Sequence, residues 1–479
     1  MSPRSRVPVD MPDPGSARSF WLQEALANEP GAPCPPLESA ISADVCIVGG
    51  GFAGLWTAVE LTERDPSLRV VLLEQDICGG GASGRNGGFI SPSWWDLESL
   101  CRLFGRDEGI RYATVVADSV AQIGAWLAAN QVDAWFHHDG VVAARAGTWQ
   151  GGVASSDAAG YCARMGLADR MQPLSAAEAR ALADSPRFVG GTFLADSATV
   201  QPARMARGLR RVLLERGVHI FERTEVTGIQ HTDPAVVTTS GGRVRAPQVV
   251  LTTGAWAAGW PGFRRSFGVI VDYMVATEPI PERLEEIGWS DHTGIGDGRD
   301  LLYYLRKTDD GRIAIGGGAC GVAFGGRIGR VVTHDRRVAE AAARGLLWLF
   351  PQLEGVRFTH AWGGPIDQTA SFVPFYRTLD PGNVHAGLGF SGHGLSQTFV
   401  GAKILAGKVL GVTDEWTSLA VNRAEFSKAP PEPIRWPLVK LATAALEAGD
   451  AREEEGRTRG GLLNLIGSAP IRFRDRLGG

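Results

Sequence analysis

Four residues between positions 49 and 74 carry the plainest chemical signal in the chain. Gly49, Gly51 and Gly54 fall in Gly49-Gly-Gly51-Phe52-Ala53-Gly54, and Glu74 follows 20 residues after Gly54. The pattern suits a bound pyrophosphate: Gly49 allows a tight turn, Gly51 admits a close backbone approach, and Gly54 lets the helix lie near the strand. The first turn of the helix offers N–H groups and a positive dipole end to an anion. Glu74 can accept hydrogen bonds from a ribose, and its charge disfavours a 2′-phosphate. Spacing alone is weak here, because the chain holds 63 glycines in 479 residues. The same G-x-G-x-x-G pattern recurs from Gly79, Gly316 and Gly387. Only the first copy follows a buried apolar run, opens a helical segment and is followed by an acid ending the next run.

Those residues must be held by a βαβ unit. Asp44-Val-Cys-Ile-Val48 and Arg69-Val-Val-Leu-Leu-Glu74 read as buried parallel strands flanking a helix from Phe52 to Arg64. Further helices are expected over 107–130, 202–216, 337–350 and 395–410, with a capping box at Ser175 and Glu178. Asp133 to Ala144 reads as strand, and 218–252 and 268–320 read as strand-rich, the latter with a turn at Asp309-Asp-Gly311. The fold class is α+β / α/β, with βα units at both ends and a mixed sheet inserted between them. Residues 1–40 read as an irregular arm. Residues 41–98, 195–260 and 350–415 form a discontinuous dinucleotide domain, 99–194 and 261–349 a second domain, and 416–479 a tail.

Composition narrows the partners. With 48 basic and 52 acidic residues the net charge is -4, so no nucleic-acid footprint is expected. No run reaches the ~18 apolar residues of a membrane span. Met1 to Ser19 is polar with four prolines and lacks the apolar core of a signal peptide. Six scattered cysteines without paired spacing fit a reduced, cytoplasmic setting. His137 and His138 lack a partner at metal spacing, so no metal is expected. Three features favour FAD over NAD: the fingerprint near the chain start, the Gly-rich loop Gly81-Ala-Ser-Gly-Arg-Asn-Gly-Gly88, and a last strand–turn–helix near residue 390 that can grip a long cofactor's other end.

At these motifs the chain, over residues 19–412, resembles the FAD-dependent D-amino-acid oxidase (DAO) superfamily. It is most similar to the γ-glutamylputrescine oxidoreductase-like branch, beside the glycine and sarcosine oxidases. The motifs that carry the resemblance are Asp44-Val-Cys-Ile-Val-Gly-Gly-Gly-Phe-Ala-Gly-Leu, Ala82-Ser-Gly-Arg-Asn-Gly-Gly, Val249-Val-Leu-Thr-Thr-Gly-Ala-Trp256 and Gly389-Phe-Ser-Gly-His-Gly394. The resemblance implies a Rossmann-like FAD-binding domain of the second glutathione-reductase type with an inserted mixed-sheet substrate domain. It implies that Ala82, Ser83, Arg85, Asn86 and Gly87 line the flavin, that the Val226 backbone meets adenine, and that Thr253 and Gly254 lie at a strand end near the dinucleotide. Gly389, Gly392, His393 and Gly394 would form the turn facing the flavin ring. Sarcosine oxidase relatives attach the flavin through a Cys, and Trp362 to Thr369 has none. Relatives of the dimethylglycine type use a His, and residues 77–91 have none. The implied FAD is therefore non-covalent. Some members place a Lys over the flavin to promote O2 reduction; Gly311 to Gly316 has none, so the electron acceptor is O2 or another carrier.

The implied reaction is hydride transfer from a small amine or amino acid to the flavin, giving an imine that hydrolyses. His393 reads as a charge near the reduced flavin or as a capping residue. Tyr303 and Tyr304 alternate on one strand, and Arg306 shares a face with Tyr304, as a carboxylate clamp or an ordinary surface Arg. Trp94 and Trp95, followed by Asp96, suit a cationic amine or simply fill the core between domains. A flavin monooxygenase usually carries a Gly-Asp where Gly389 to Gly394 stands. A non-catalytic FAD-binding subunit is the alternative from another class.

Overall fold

The computed structural model describes residues 10–15, 18–147, 157–329, 333–424, 428–458 and 460–467. Most of the polar N-terminal stretch and the last dozen residues of the tail lie outside them.

The βαβ unit forms as the apolar runs dictate. Strand Val45–Val48 is buried at every position, as a parallel strand covered on both faces must be. It pairs with Val70–Leu73 and with Gln248–Leu251, and the sheet continues to His219–Phe221 on one side and Val384–Leu388 on the other. Phe375–Leu379 adds an antiparallel edge, making six strands. Helix Phe52–Arg64 packs on helix Gly394–Leu410, so the first and last βα units meet in one core. A four-stranded sheet, Ala40–Ser42, Arg243–Ala246, Ala235–Thr239 and Val226–Gln230, flanks them.

The second layer is a nine-stranded mixed sheet. Its centre is antiparallel: Gly268–Thr277, Ile313–Gly317, Tyr303–Lys307 and Gly294–Asp297 pair in that order. Val141–Ala144 extends it in parallel beyond Gly294–Asp297. Helix Arg336–Leu349, capped by the Asp335 side chain accepting from the Arg337 N–H, covers one face. The other face is left to a cavity.

Several sequence expectations shift. The strand expected over Asp133 to Ala144 is confined to Val141–Ala144, because His137 makes only an isolated bridge to Thr199. The arm is not irregular throughout: Phe20–Asn28 is a helix capped by Ser19, and it buries Trp21 completely. Two boundaries also differ. Phe358–Gln368 pairs along the whole of Gly268–Thr277, so it belongs to the second sheet and not to the dinucleotide segment 350–415. Helix Arg106–Ala129 shares the core of helix Phe52–Arg64, so part of 99–194 covers the dinucleotide layer. The capping box at Ser175 and Glu178 forms as its sequence predicts. In the tail, Arg435–Glu454 is a helix.

Candidate active site

Between the two sheets runs one continuous cavity of about 970 Å³. Ligand sites usually measure ~300–1,000 Å³, so this one has room for a long cofactor together with a small molecule. One end is the crevice above the parallel strands, lined by Gly49, Gly51, Phe52, Ala53 and Glu74. The other end lies under the mixed sheet, lined by Asp272, Tyr304, Gly317 and Cys320.

The crevice is shaped by close backbone approach. A Cβ on Gly54 would overlap the Gly49 carbonyl oxygen and stand 2.8 Å from Thr252 Oγ1, so only glycine lets this helix start against the strands. The helix has Gly51 at its N-cap and no side-chain cap. Ser83 Oγ accepts from the Phe52 N–H at 2.8 Å, which ties the Gly-rich loop to that helix end. The Glu74 carboxylate accepts from the N–H groups of Gly50 (2.7 Å) and Asp76 (2.9 Å), yet burial pushes its carboxyl up to about 7. A ribose diol here would add donors to a carboxylate that already accepts two backbone N–H groups.

The loop from Gly81 to Gly88 is trussed from behind. Trp21 Nε1 donates to the Asn86 carbonyl (2.9 Å), Trp362 Nε1 to the Arg85 carbonyl (2.9 Å), and Ser19 Oγ to the Gly84 carbonyl (2.6 Å). Asn86 Oδ1 accepts from the Gly88 N–H at 2.9 Å. The Arg85 guanidinium donates to the carbonyls of Gly80 (3.0 Å) and Gly363 (3.2 Å), bridging the loop to the mixed sheet. These bonds fix the loop with Ala82, Ser83, Arg85, Asn86 and Gly87 on the cavity wall.

Val226, Thr253 and Gly254 line the crevice end, while Gly392, His393 and Gly394 close the far side. His393 is the N-cap of helix Gly394–Leu410, and its ring is exposed at the cavity. Gly54 and Gly389 stay outside the lining and serve packing. A Cβ on Gly389 would run into Thr369 and Phe375, and the Gly389 N–H donates to Asp367 Oδ2 at 2.6 Å. Burial pushes the Asp367 carboxyl up to about 6, beside the turn that ends at His393.

The candidate substrate residues divide. Tyr304 and Trp95 reach the cavity. Trp94 does not: it is fully buried, its Nε1 donates to Asp196 Oδ2 at 3.2 Å, and Arg170 covers its ring. Tyr303 turns to the opposite face, against Gly345 of the covering helix and under the Arg299 guanidinium at 4.1 Å. Arg306 is a correction as well. It lies on the face of Tyr304 but behind the Gly88 strap, where Nη1 donates to the Val200 carbonyl and Nε to that of Lys307. Burial lowers its pKa to about 10, and its guanidinium packs over Trp21. It cannot clamp a carboxylate in the cavity.

Sequence reasoning missed Asp272. It is half-buried on strand Gly268–Thr277, and Oδ2 accepts the Tyr304 hydroxyl at 2.7 Å. Burial pushes its carboxyl up to about 6 against the pull of that bond and of backbone N–H groups, and raises the Tyr304 hydroxyl well above its usual range. The alternation of Val269, Val271 and Tyr273 on the buried face was the one available signal, since it turns Asp272 the other way. Arg299, also on the wall, was missed too. It pairs with Asp297 at 2.5 Å and with Glu454 of the tail helix, whose Asp450 accepts the N–H groups of Asp300 (3.3 Å) and Leu301 (3.0 Å). The tail thus braces the cavity wall over 297–301.

The glycines at 316–318 also gain a reason. A Cβ on Gly316 would enter the Tyr304 ring, one on Gly318 the Tyr303 ring, and one on Gly317, at φ +91°, the Leu302 carbonyl. A Cβ on Gly87 would meet the same ring, so two glycines make room for Tyr304.

A Rossmann crevice that opens without a break into a chamber roofed by a second sheet defines a dinucleotide-dependent enzyme. Residues 44–408 match the family described as FAD dependent oxidoreductase, DAO, and the chain belongs to that family. It is similar to γ-glutamylputrescine oxidoreductase of Escherichia coli (strain K12), 28% identical over 420 residues that cover 86% of this chain and 94% of the relative. It is similar also to the sarcosine oxidase subunit beta of Rhizobium meliloti (strain 1021), 26% identical over 372 residues, 74% of this chain and 81% of the relative. A crystal structure of glycine oxidase from Geobacillus kaustophilus shares the fold with a TM-score of 0.62 at 19% identity, covering 80% of this chain and 99% of that one. The protein is an FAD-dependent oxidoreductase, and the cavity wall at Gly49, Gly51, Phe52, Ala53, the Ala82–Ser83 and Arg85–Gly87 loop and the Gly392–Gly394 turn offers the close backbone approach that such a cofactor needs. Among the described residues no helix is long and apolar enough to cross a membrane.

Proposed function

We propose that the protein oxidises the C–N bond of a small amine or amino acid, with non-covalently held FAD. The observation that supports this best is the continuity of the cavity, which puts the Asp272–Tyr304 pair and the His393 turn on one chamber with the dinucleotide crevice. The relatives named for γ-glutamylputrescine, sarcosine and glycine point to the same substrate class. Bound flavin supplies the hydride acceptor.

The chain's own part is to bind, orient and manage protons. Asp272, ionised above about pH 6, attracts the substrate ammonium and takes a proton from it, which leaves the nitrogen lone pair able to drive hydride loss. Tyr304 holds the carboxylate in place through its hydroxyl. Trp95 and Asp96, on the wall, favour a cationic group. The first turn of helix Gly394–Leu410 offers N–H dipoles that would stabilise the negative charge a bound flavin gains on reduction. The imine product needs only water to give an aldehyde or keto acid.

The test is anaerobic mixing of the yellow holoenzyme with a panel of amines and amino acids. Bleaching near 450 nm by at least one member is expected, and no bleaching by any would overturn the reading. Acid precipitation should leave the flavin in the supernatant; a yellow pellet would refute non-covalent binding. Cys320 is the one cysteine on the cavity wall among the described residues, so it is the residue to examine if the pellet is yellow.

A further inference from the structure

Away from the cavity, three loops bring two histidines and two carboxylates together. His137 and His292, 155 positions apart in sequence, stack with ring centroids 3.5 Å apart and planes 5° from parallel. Both Nε2 atoms meet one oxygen, Asp309 Oδ1, at 2.8 Å and 3.4 Å. Asp139 closes the other side, its Oδ2 lying 3.9 Å from His292 Nδ1 and accepting the His292 backbone N–H at 3.0 Å. One ligand atom from each of His137, Asp139 and His292 can be chosen so that all lie within 4.8 Å of one another. The rings are about a quarter exposed, 25% and 23%.

The backbone under this cluster is firm. His137 exchanges two hydrogen bonds with Thr199, at 2.9 Å and 2.8 Å, and Gly294 N–H donates to the Gly140 carbonyl at 3.1 Å. Thr293 Oγ1 donates to the Asp139 carbonyl at 3.1 Å. The charges do not balance. Asp139, Asp291 and Asp309 act on Lys307, whose Nζ donates to the Trp289 and Ser290 carbonyls, and the buried Arg306 is the further cation that Asp309 meets. With neutral imidazoles, negative charge exceeds positive.

From this geometry we infer a divalent transition-metal site, of the kind that takes Zn²⁺, with His137, His292 and Asp139 as ligands and Asp309 as the carboxylate that orients the rings. Two imidazoles and a carboxylate, completed by water, are a donor set Zn²⁺ favours. Metal-bound histidines usually donate their second ring N–H to such a carboxylate, and here one oxygen serves both. Binding requires the stacked rings to splay, because parallel rings aim their lone pairs side by side. The ion would clip the Phe136–Gly140 segment to the 289–293 loop, beside the strand Val141–Ala144 that lines the cavity.

The test uses tag-free holoenzyme, freed of metal by a chelator and then titrated with Zn²⁺ by calorimetry and equilibrium dialysis. One equivalent per chain and a rise in Tm are expected. Asp309→Asn should weaken binding roughly ten- to hundredfold. His137→Ala combined with His292→Ala should abolish the equivalent while the flavin-to-protein ratio stays unchanged, which shows that the variant folds. Absence of stoichiometric Zn²⁺ in the unaltered protein, or equal affinity in the double variant, would overturn the site and leave only a histidine pair hydrogen-bonded to Asp309.

Discussion

Tyr304→Phe offers the sharpest handle on the chemistry. The Tyr304 hydroxyl lies 2.7 Å from Asp272 Oδ2, and the carboxyl sits at about 6 because burial outweighs the hydrogen bonds that favour its ionised form. A bond from a hydroxyl to a carboxylate is worth ~1.5–3 kcal/mol when nothing replaces it. Water in the cavity recovers part of this, so the net loss is taken as ~1.4 kcal/mol, which is about one pKa unit. The ring's close fit against Gly87 and Gly316 keeps phenylalanine in the same position. The assay is the rate of anaerobic flavin reduction from pH 5 to 9. A carboxyl raised in the folded protein is protonated at low pH and ionises as pH rises through its folded value. The unaltered enzyme should therefore gain rate through about pH 6, and Tyr304→Phe through roughly pH 7. Asp272→Asn should lose that limb. A limb that persists in Asp272→Asn, or that stays in place in Tyr304→Phe, would refute the role given to the pair.

Other perturbations separate cofactor, substrate and scaffold. Gly54→Ala drives a methyl group into the Gly49 turn, and overpacking of that kind costs ~1–3 kcal/mol, so FAD affinity should fall roughly ten- to hundredfold, read by flavin fluorescence on dilution. Arg306→Leu should leave KM unchanged and lower Tm, because the guanidinium serves Val200 and Lys307 carbonyls and not the cavity; a selective rise in KM for carboxylated substrates would contradict its placement. Glu454→Gln weakens the brace on Arg299, so KM should rise severalfold with kcat and flavin content little changed, and unaltered KM would detach the tail helix from substrate binding.

The dinucleotide half was legible because its signals are local. A buried strand, a glycine turn, a helix start and an acid at fixed spacing are all set by residues near in sequence, and Gly49 to Glu74 stand where that logic puts them. The second half depends on pairings between distant segments. Strand alternation showed that Tyr303 and Tyr304 oppose each other, and they do. It could not show that the Gly88 strap lies across the face carrying Arg306, since Gly88 and Val200 come from other parts of the chain. Trp94 and Trp95 are adjacent, and only packing against Asp196 and Arg170 decides which one is core. Asp272 sits inside an apolar strand, where a single acid looks like an ordinary solvent-facing position until the opposite sheet covers it. The tail carried no readable motif because its contribution, Asp450 and Glu454, acts on a loop 150 residues earlier.

The central claim is that one chamber joins a flavin to an amine. Anaerobic titration of the holoenzyme with small amines and amino acids tests it most directly. Stoichiometric loss of the 450 nm band with one of them, accompanied by an aldehyde or keto acid and released amine or ammonia, is the predicted result. A flavin that stays oxidised with every member, while dithionite still bleaches it, would contradict the account.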